Sequence, residues 1–192
     1  MKFSHRQIGS VQFMQFTAGQ DFLNKIPAGG SLRQRLRLLQ QDLKNRLIAR
    51  AGLTGVLKYT AGGKPYLTDG RHISITHFDR RAALAVAPFP IGLDGEIPDP
   101  RLLRVRHKFL HPDEYKHHNP DNLAFLTRIW TAKEAVYKLV GRPGLSFAQD
   151  IHVRLTAGMS IGIAHISGVG EANLFWFGRD AVFCLAHFAG DE

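Results

Sequence analysis

The chain has 192 residues, 25 Lys and Arg against 16 Asp and Glu, a formal net charge of +9, and 44% apolar residues. That is enough apolar material to close a core in one domain or two small ones, which excludes collagen-like, coiled-coil and disordered chains. The absence of an apolar run of ~18 residues, the polar start Met1-Lys2-Phe3-Ser4-His5-Arg6 and the single Cys184 give the expectation of a basic cytoplasmic protein with no membrane partner, no signal peptide and no internal disulfide.

Residues 7 to 17 alternate loosely (Ile8, Val11, Phe13, Phe16) and read as a strand. Gly29-Gly30 ends the next loop. Ser31 with Gln34 then forms a capping box for a helix carrying Leu32, Leu36, Leu39, Leu43 and Leu47 at helical spacing, stopped at Gly52. Arg33, Arg35, Arg37, Lys44, Arg46 and Arg50 occupy its other faces. Strand-like runs follow at 56–60, 72–77, 82–87 and 91–96. Asp99-Pro100 and His111-Pro112-Asp113-Glu114 look like helix starts, and a long helix is expected from about Asn122 to Val140, stopped by Gly141. Further strands are expected at 151–155, 161–166, 174–177 and 181–188. Each half thus holds a long helix and several strands. The expected fold is α+β, as two similar lobes, 1–97 and 98–192, each a long helix on a mainly antiparallel sheet.

Asp94 and Glu96 stand two apart in a strand-like run, so both carboxylates project from one face. Two carboxylates so close repel unless a cation lies between them, and oxygen-only ligands suit Mg²⁺. The bland alternative is a polar strand end in water. On the long helix, Leu126, Ile129, Lys133, Val136 and Val140 gather on one side, while Glu134 and Lys138 stand one turn apart and away from that stripe. A solvated Glu–Lys pair explains these two, but not Trp130 one turn before Glu134, which suggests that the face is partly covered. Gly62-Gly63-Lys64-Pro65 is no Walker A loop, because Pro65 stands where Ser or Thr would bind the metal. Ile75-Thr76-His77 closes a strand.

In order, Gly63-Lys64-Pro65, Ser74-Ile75-Thr76-His77-Phe78, Gly92-Leu93-Asp94-Gly95-Glu96 and the helix from Trp130 to Lys138 resemble the 4'-phosphopantetheinyl transferase superfamily, in its two-lobed, monomeric form. Phe109-Leu110-His111-Pro112-Asp113-Glu114-Tyr115 is similar to the segment linking its last two motifs, and the likeness covers about residues 31–155. The sequence departs from the pattern at Thr76 and Phe78, where serines flank the histidine, at Gly95, where a branched residue is usual, and in a longer loop at 141–145.

The resemblance implies transfer of the phosphopantetheine arm of coenzyme A to a serine of an acidic apo carrier protein, releasing adenosine 3',5'-bisphosphate, in a cleft between the lobes. It implies Mg²⁺ on Asp94, Glu96 and Glu134, with Glu134 and Lys138 as catalytic residues and Lys138 also on the coenzyme phosphates. By the same resemblance Lys64 and Pro65 flank the adenine, and Thr76, His77 and Arg37, helped by Arg33 or Lys25, hold coenzyme phosphates.

Three rival readings have other grounds. A basic nucleic-acid-binding protein would use the net charge and the arginine-rich helix, but no nucleic-acid-binding signature accompanies them. A Mg²⁺-dependent nuclease would use the three carboxylates and a lysine, leaving Gly63-Lys64-Pro65 and Ile75-Thr76-His77 without a role. A zinc site from His107, His111, His117 and His118 has an i,i+4 pair but no third placed ligand.

Overall fold

The computed structural model describes residues 1–19, 31–117, 119–156 and 158–191, with the side chain of His117 excluded. Lys25, Gly29-Gly30 and His118 lie outside the described residues.

The first run of alternating residues forms two strands, not one. β1 (Lys2–Ile8) and β2 (Val11–Thr17) pair as a hairpin, with Ile8 opposite Val11 across the two-residue turn Gly9-Ser10. The expected single strand at 7–17 overlooked that turn because apolar residues continue on both sides of it. Together with β5 (His72–Phe78) and β6 (Arg81–Ala87) these strands make an antiparallel sheet in the order β1-β2-β6-β5. The helix α1 (Leu32–Arg50) starts at the expected capping box: the Ser31 hydroxyl accepts from Gln34 N–H and the Gln34 side chain accepts from Ser31 N–H. Its Leu39, Leu43 and Leu47 pack on Met14, Ala82, Leu84 and Val86 of the sheet. Leu32, two turns earlier, stays exposed.

A short hairpin of β3 (Leu57–Tyr59) and β4 (Pro65–Leu67) carries the Gly63-Lys64-Pro65 turn. Pro88 and Pro90 lead out of β6, and β7 (Gly92–Glu96) pairs with the last strand of the chain. The expected division near residue 97 therefore falls just after a strand that hydrogen-bonds into the second sheet. That sheet is antiparallel, ordered β7-β11-β10-β9-β8, with β8 (Ile151–Leu155), β9 (Ile161–Ile166), β10 (Gly170–Phe177) and β11 (Val182–Phe188). Between β7 and β8 run α2 (Arg101–Val105), α3 (Glu114–His117) and the long α4 (Leu123–Val140). α4 keeps both expected ends: Asn122 Oδ1 caps the first turn, and Gly141 is left-handed.

Alternation along the strands sorts the core into layers. On β6, Ala82, Leu84 and Val86 face α1, whereas Ala83, Ala85 and Ala87 face the second sheet. On β11, Phe183 and Leu185 meet the first sheet, whereas Cys184 and Ala186 lie under α4. The two sheets therefore pack on one another with one long helix outside each. No helix is long and apolar enough to cross a membrane among the described residues.

The two departures at positions 78 and 95 are one packing feature. A Cβ on Gly95 would lie 2.5 Å from Phe78 Cε1 and 2.7 Å from Phe183 Cδ1, so the rings fill the space a branched side chain would need. Gly95→Val is expected to cost about 1–3 kcal/mol through overpacking. Phe78→Ser in the same chain should recover part of that loss. Thermal unfolding of both variants checks this, and a double variant less stable than Gly95→Val alone would contradict it.

Candidate functional site

β5 and β7, the facing edges of the two sheets, lie against each other. Gly92 sets how near α4 comes to this seam: a Cβ there would stand 1.9 Å from the carbonyl oxygen of Ala135. Any side chain at 92 would push the helix off the strand, and with it Glu134 and Lys138.

Asp94 is the junction. It is buried, and its Oδ1 accepts from Thr76 Oγ1 of β5 at 2.9 Å and from Lys138 Nζ of α4 at 2.7 Å. Lys138 Nζ also donates to the carbonyl of Leu93 at 3.0 Å. One ammonium proton of three thus remains for another acceptor. Glu96, opposite Val182, lies on the same strand face as Asp94, opposite Cys184. Burial first, then repulsion from Asp94, pushes the Glu96 carboxyl up to about 7, against a smaller pull from Arg101. Burial and Asp94 likewise push Glu134 up, with Lys138 opposing. Asp94 thus acts on both of the other expected carboxylates, and the nearby cations, Arg101 at Glu96 and Lys138 at Glu134, do not cancel the combined effect of burial and its charge. The oxygens of the three carboxylates do not close to within 4.8 Å of one another; among the described residues the group that does is His111, Asp113 and His152.

The other expected residues divide. His77, exposed near the end of β5, has its pKa lowered by partial desolvation and by Lys138 and Lys44, with Asp94 opposing. Lys44, half-buried on α1, was not singled out from the sequence; its heptad spacing from Arg37 was the available signal. Arg33 and Arg37 lie exposed on α1, on the flank where Gln40 reaches the carbonyl of Asp79. Lys64 is engaged elsewhere: its Nζ donates to Leu139 O at 2.6 Å and its stem lies over Gly141, tying the β3–β4 hairpin to the end of α4. Pro65 opens β4 beside it. Trp130 is covered, as expected for that helix face, by Phe109 and Phe147.

Lys133 has a structural role that its place in the apolar stripe concealed. Fully buried, its Nζ donates to the carbonyls of Phe109 (2.7 Å), Phe147 (2.8 Å) and Ile151 (2.7 Å) and lies 2.9 Å from Glu114 Oε2. Glu114 in turn accepts from the N–H groups of His111 and Val153. β8 ends its sheet, and this pair takes up outward N–H and C=O groups that a further strand would otherwise use. Burial lowers the Lys133 pKa to about 8, which leaves it charged at neutral pH. Burial raises that of Glu114, and the lysine opposes the rise. Of the zinc set weighed from the sequence, the His117 side chain and His118 lie outside the described residues; among the described residues, His111 meets Asp113 and His152.

A family model of the 4'-phosphopantetheinyl transferase superfamily matches residues 90–185, half of the chain, running from β7 through α4 into β11. The chain belongs to that superfamily. It is 33% identical over 107 residues to a 4'-phosphopantetheinyl transferase of Bacillus subtilis, covering 52% of this chain and 46% of that one. It is 29% identical over 85 residues to the 4'-phosphopantetheinyl transferase gsp of Aneurinibacillus migulanus, covering 42% and 35%. The matched segments thus span less than half the length of either relative.

Proposed function

We propose that this protein transfers the 4'-phosphopantetheine group of coenzyme A to a serine of an apo carrier protein and releases adenosine 3',5'-bisphosphate, acting as a monomeric, cytoplasmic holo-carrier-protein synthase. The carrying observation is the Asp94 junction, where the Thr76, Asp94 and Lys138 motifs of the family meet through hydrogen bonds of 2.9 and 2.7 Å. In this reading the chain has two lobes dividing near residue 97, β7 being the first lobe's strand in the second sheet, and the substrate lies in the cleft between the lobes.

The serine oxygen forms a bond to the phosphorus that carries pantetheine. The bond from that phosphorus to the oxygen of the adenosine bisphosphate breaks, and the bisphosphate leaves with the electron pair. Glu134 takes the serine proton. Lys138, with one ammonium proton uncommitted, donates it to a phosphate oxygen as charge builds there. His77, Lys44 and the exposed Arg37 and Arg33 hold the coenzyme phosphates, and the Lys64 stem with Pro65 flanks the adenine; Thr76, expected on the phosphates as well, gives its one hydroxyl proton to Asp94 and so positions that carboxylate instead.

Asp94 and Glu96, with Glu134 as a third ligand, fit a Mg²⁺ ion: they are oxygen donors, their shared charge is poorly offset, and this cation ordinarily takes one or two carboxylates and completes its shell with water and substrate phosphate. When bound, such an ion supplies charge neutralisation at the diphosphate. The +9 charge suits both anionic substrates, the coenzyme and an acidic carrier protein.

Glu134→Gln and Lys138→Ala are expected to lower kcat by about 10²-fold or more while changing coenzyme affinity much less, because both groups act on charge that develops during transfer. Steady-state kinetics with a purified apo carrier protein checks this. Losses confined to KM would reduce both residues to ordinary binding contacts.

A further inference from the structure

We propose a second metal site, for a late first-row transition metal of the Zn²⁺ type, formed by His111, Asp113 and His152. One ring nitrogen from each histidine and one Asp113 oxygen all lie within 4.8 Å of one another. The two rings stack with centroids 4.6 Å apart and planes 22° from parallel. Two imidazoles and a carboxylate suit Zn²⁺, Ni²⁺ or Cu²⁺ and are a poor match for Mg²⁺, whose preference is for oxygen. The site is therefore chemically distinct from the carboxylate cluster at Asp94.

Its frame is rigid on both sides. His111 N–H is held by Glu114 Oε2 at 2.7 Å, and Val153 N–H, next to His152, by Glu114 Oε1 at 2.8 Å. Glu114 itself is fixed by the buried Lys133. The turn at 111–114 and the strand β8 are thus pinned at a separation that leaves both imidazoles side by side and half-buried. Metal bonds near 2.0–2.2 Å bring tetrahedral ligand atoms to about 3.4 Å apart, so closure asks the two stacked rings to turn out of parallel until both in-plane lone pairs point at one position. Asp113 offers the metal its Oδ2, which lies 3.7 Å from His111 Nδ1, while its Oδ1 stays with Lys116 Nζ at 2.5 Å. His165 stands directly opposite His152 on β9 but outside the group of three.

The consequence is a clamp. Metal at this point joins the 111–114 turn to the edge strand, next to the Glu114–Lys133 pair that positions α4. It should stabilise the fold without entering the chemistry at Asp94.

The test uses untagged, chelator-treated full-length protein in excess Mg²⁺, titrated with Zn²⁺ by calorimetry and followed by thermal unfolding, with Co²⁺ absorption reporting imidazole ligation. One equivalent of Zn²⁺ is expected to bind and to raise Tm. His152→Ala and His111→Gln should each weaken binding by more than about 10-fold, beyond the low end of what outer-shell changes cost. Both keep the backbone contacts of Glu114, and their Tm without metal verifies that they fold. His165→Ala and Asp94→Ala should bind Zn²⁺ as the unaltered chain does. No binding, binding undiminished in the His111 and His152 variants, or a loss in the Asp94 variant alone would overturn the assignment. None of these readouts depends on transferase activity.

Discussion

Asp94→Ala is expected to lower kcat/KM for phosphopantetheine transfer by at least about 10²–10³-fold. The argument lies in what its carboxylate holds. It accepts from Thr76 on one sheet edge and from Lys138 on α4, so removing it releases the lysine proposed to meet the phosphate. It also removes one of the two strand-borne oxygen ligands proposed for Mg²⁺, and Glu96→Ala should act in the same direction. Asp94→Asn separates the two effects: the amide oxygen still accepts from Thr76 and Lys138, but the charge is gone. Kinetics at limiting Mg²⁺ on variants of verified fold measures each. Near-normal turnover in Asp94→Asn and Glu96→Ala would contradict the metal assignment.

The largest effect on stability is expected one residue from Glu134, on the buried face of α4. Lys133→Met should destabilise the fold by about 3–5 kcal/mol, because it leaves a buried Glu114 and three carbonyls without their partner. For a domain of this length that corresponds to a fall in Tm of about 6–20 °C. Adding Glu114→Gln should recover part of the loss, since it leaves no unpaired charge and its amide oxygen still accepts from one of the two N–H groups that the carboxylate holds. Thermal unfolding of the single and double variants measures both. A single variant as stable as the unaltered chain would mean that the pair contributes nothing to the fold.

Local signals carried most of the element boundaries. The capping box at Ser31, the asparagine and glycine that bound α4, and the spans of β8 and β9 depend on interactions within a few residues, and such interactions are written in the sequence. Long-range pairing is not. The exchange of β7 into the second sheet, the helix contact that requires Gly92, and the mutual fit of Phe78 with Gly95 each join residues far apart in the chain. Lys133 shows the limit of periodicity: its spacing puts it correctly on the buried face, while its four partners come from separate segments and leave no local trace. At the candidate site, spacing put Asp94 and Glu96 on one face, but not Lys138 on Asp94, nor Lys44 near His77. His111 was visible as one of a histidine-rich stretch, whereas its partner His152 lies 41 positions away and became a candidate only through the fold.

The most direct measurement of the central claim is the intact mass of an apo carrier protein incubated with this protein, coenzyme A and Mg²⁺. A gain of one phosphopantetheine group per carrier, absent when the acceptor serine is replaced and lost with Asp94→Ala, is the predicted result. An unchanged carrier mass across several acidic apo carrier proteins, with cleavage or tight binding of nucleic acid by the same preparation, would contradict it.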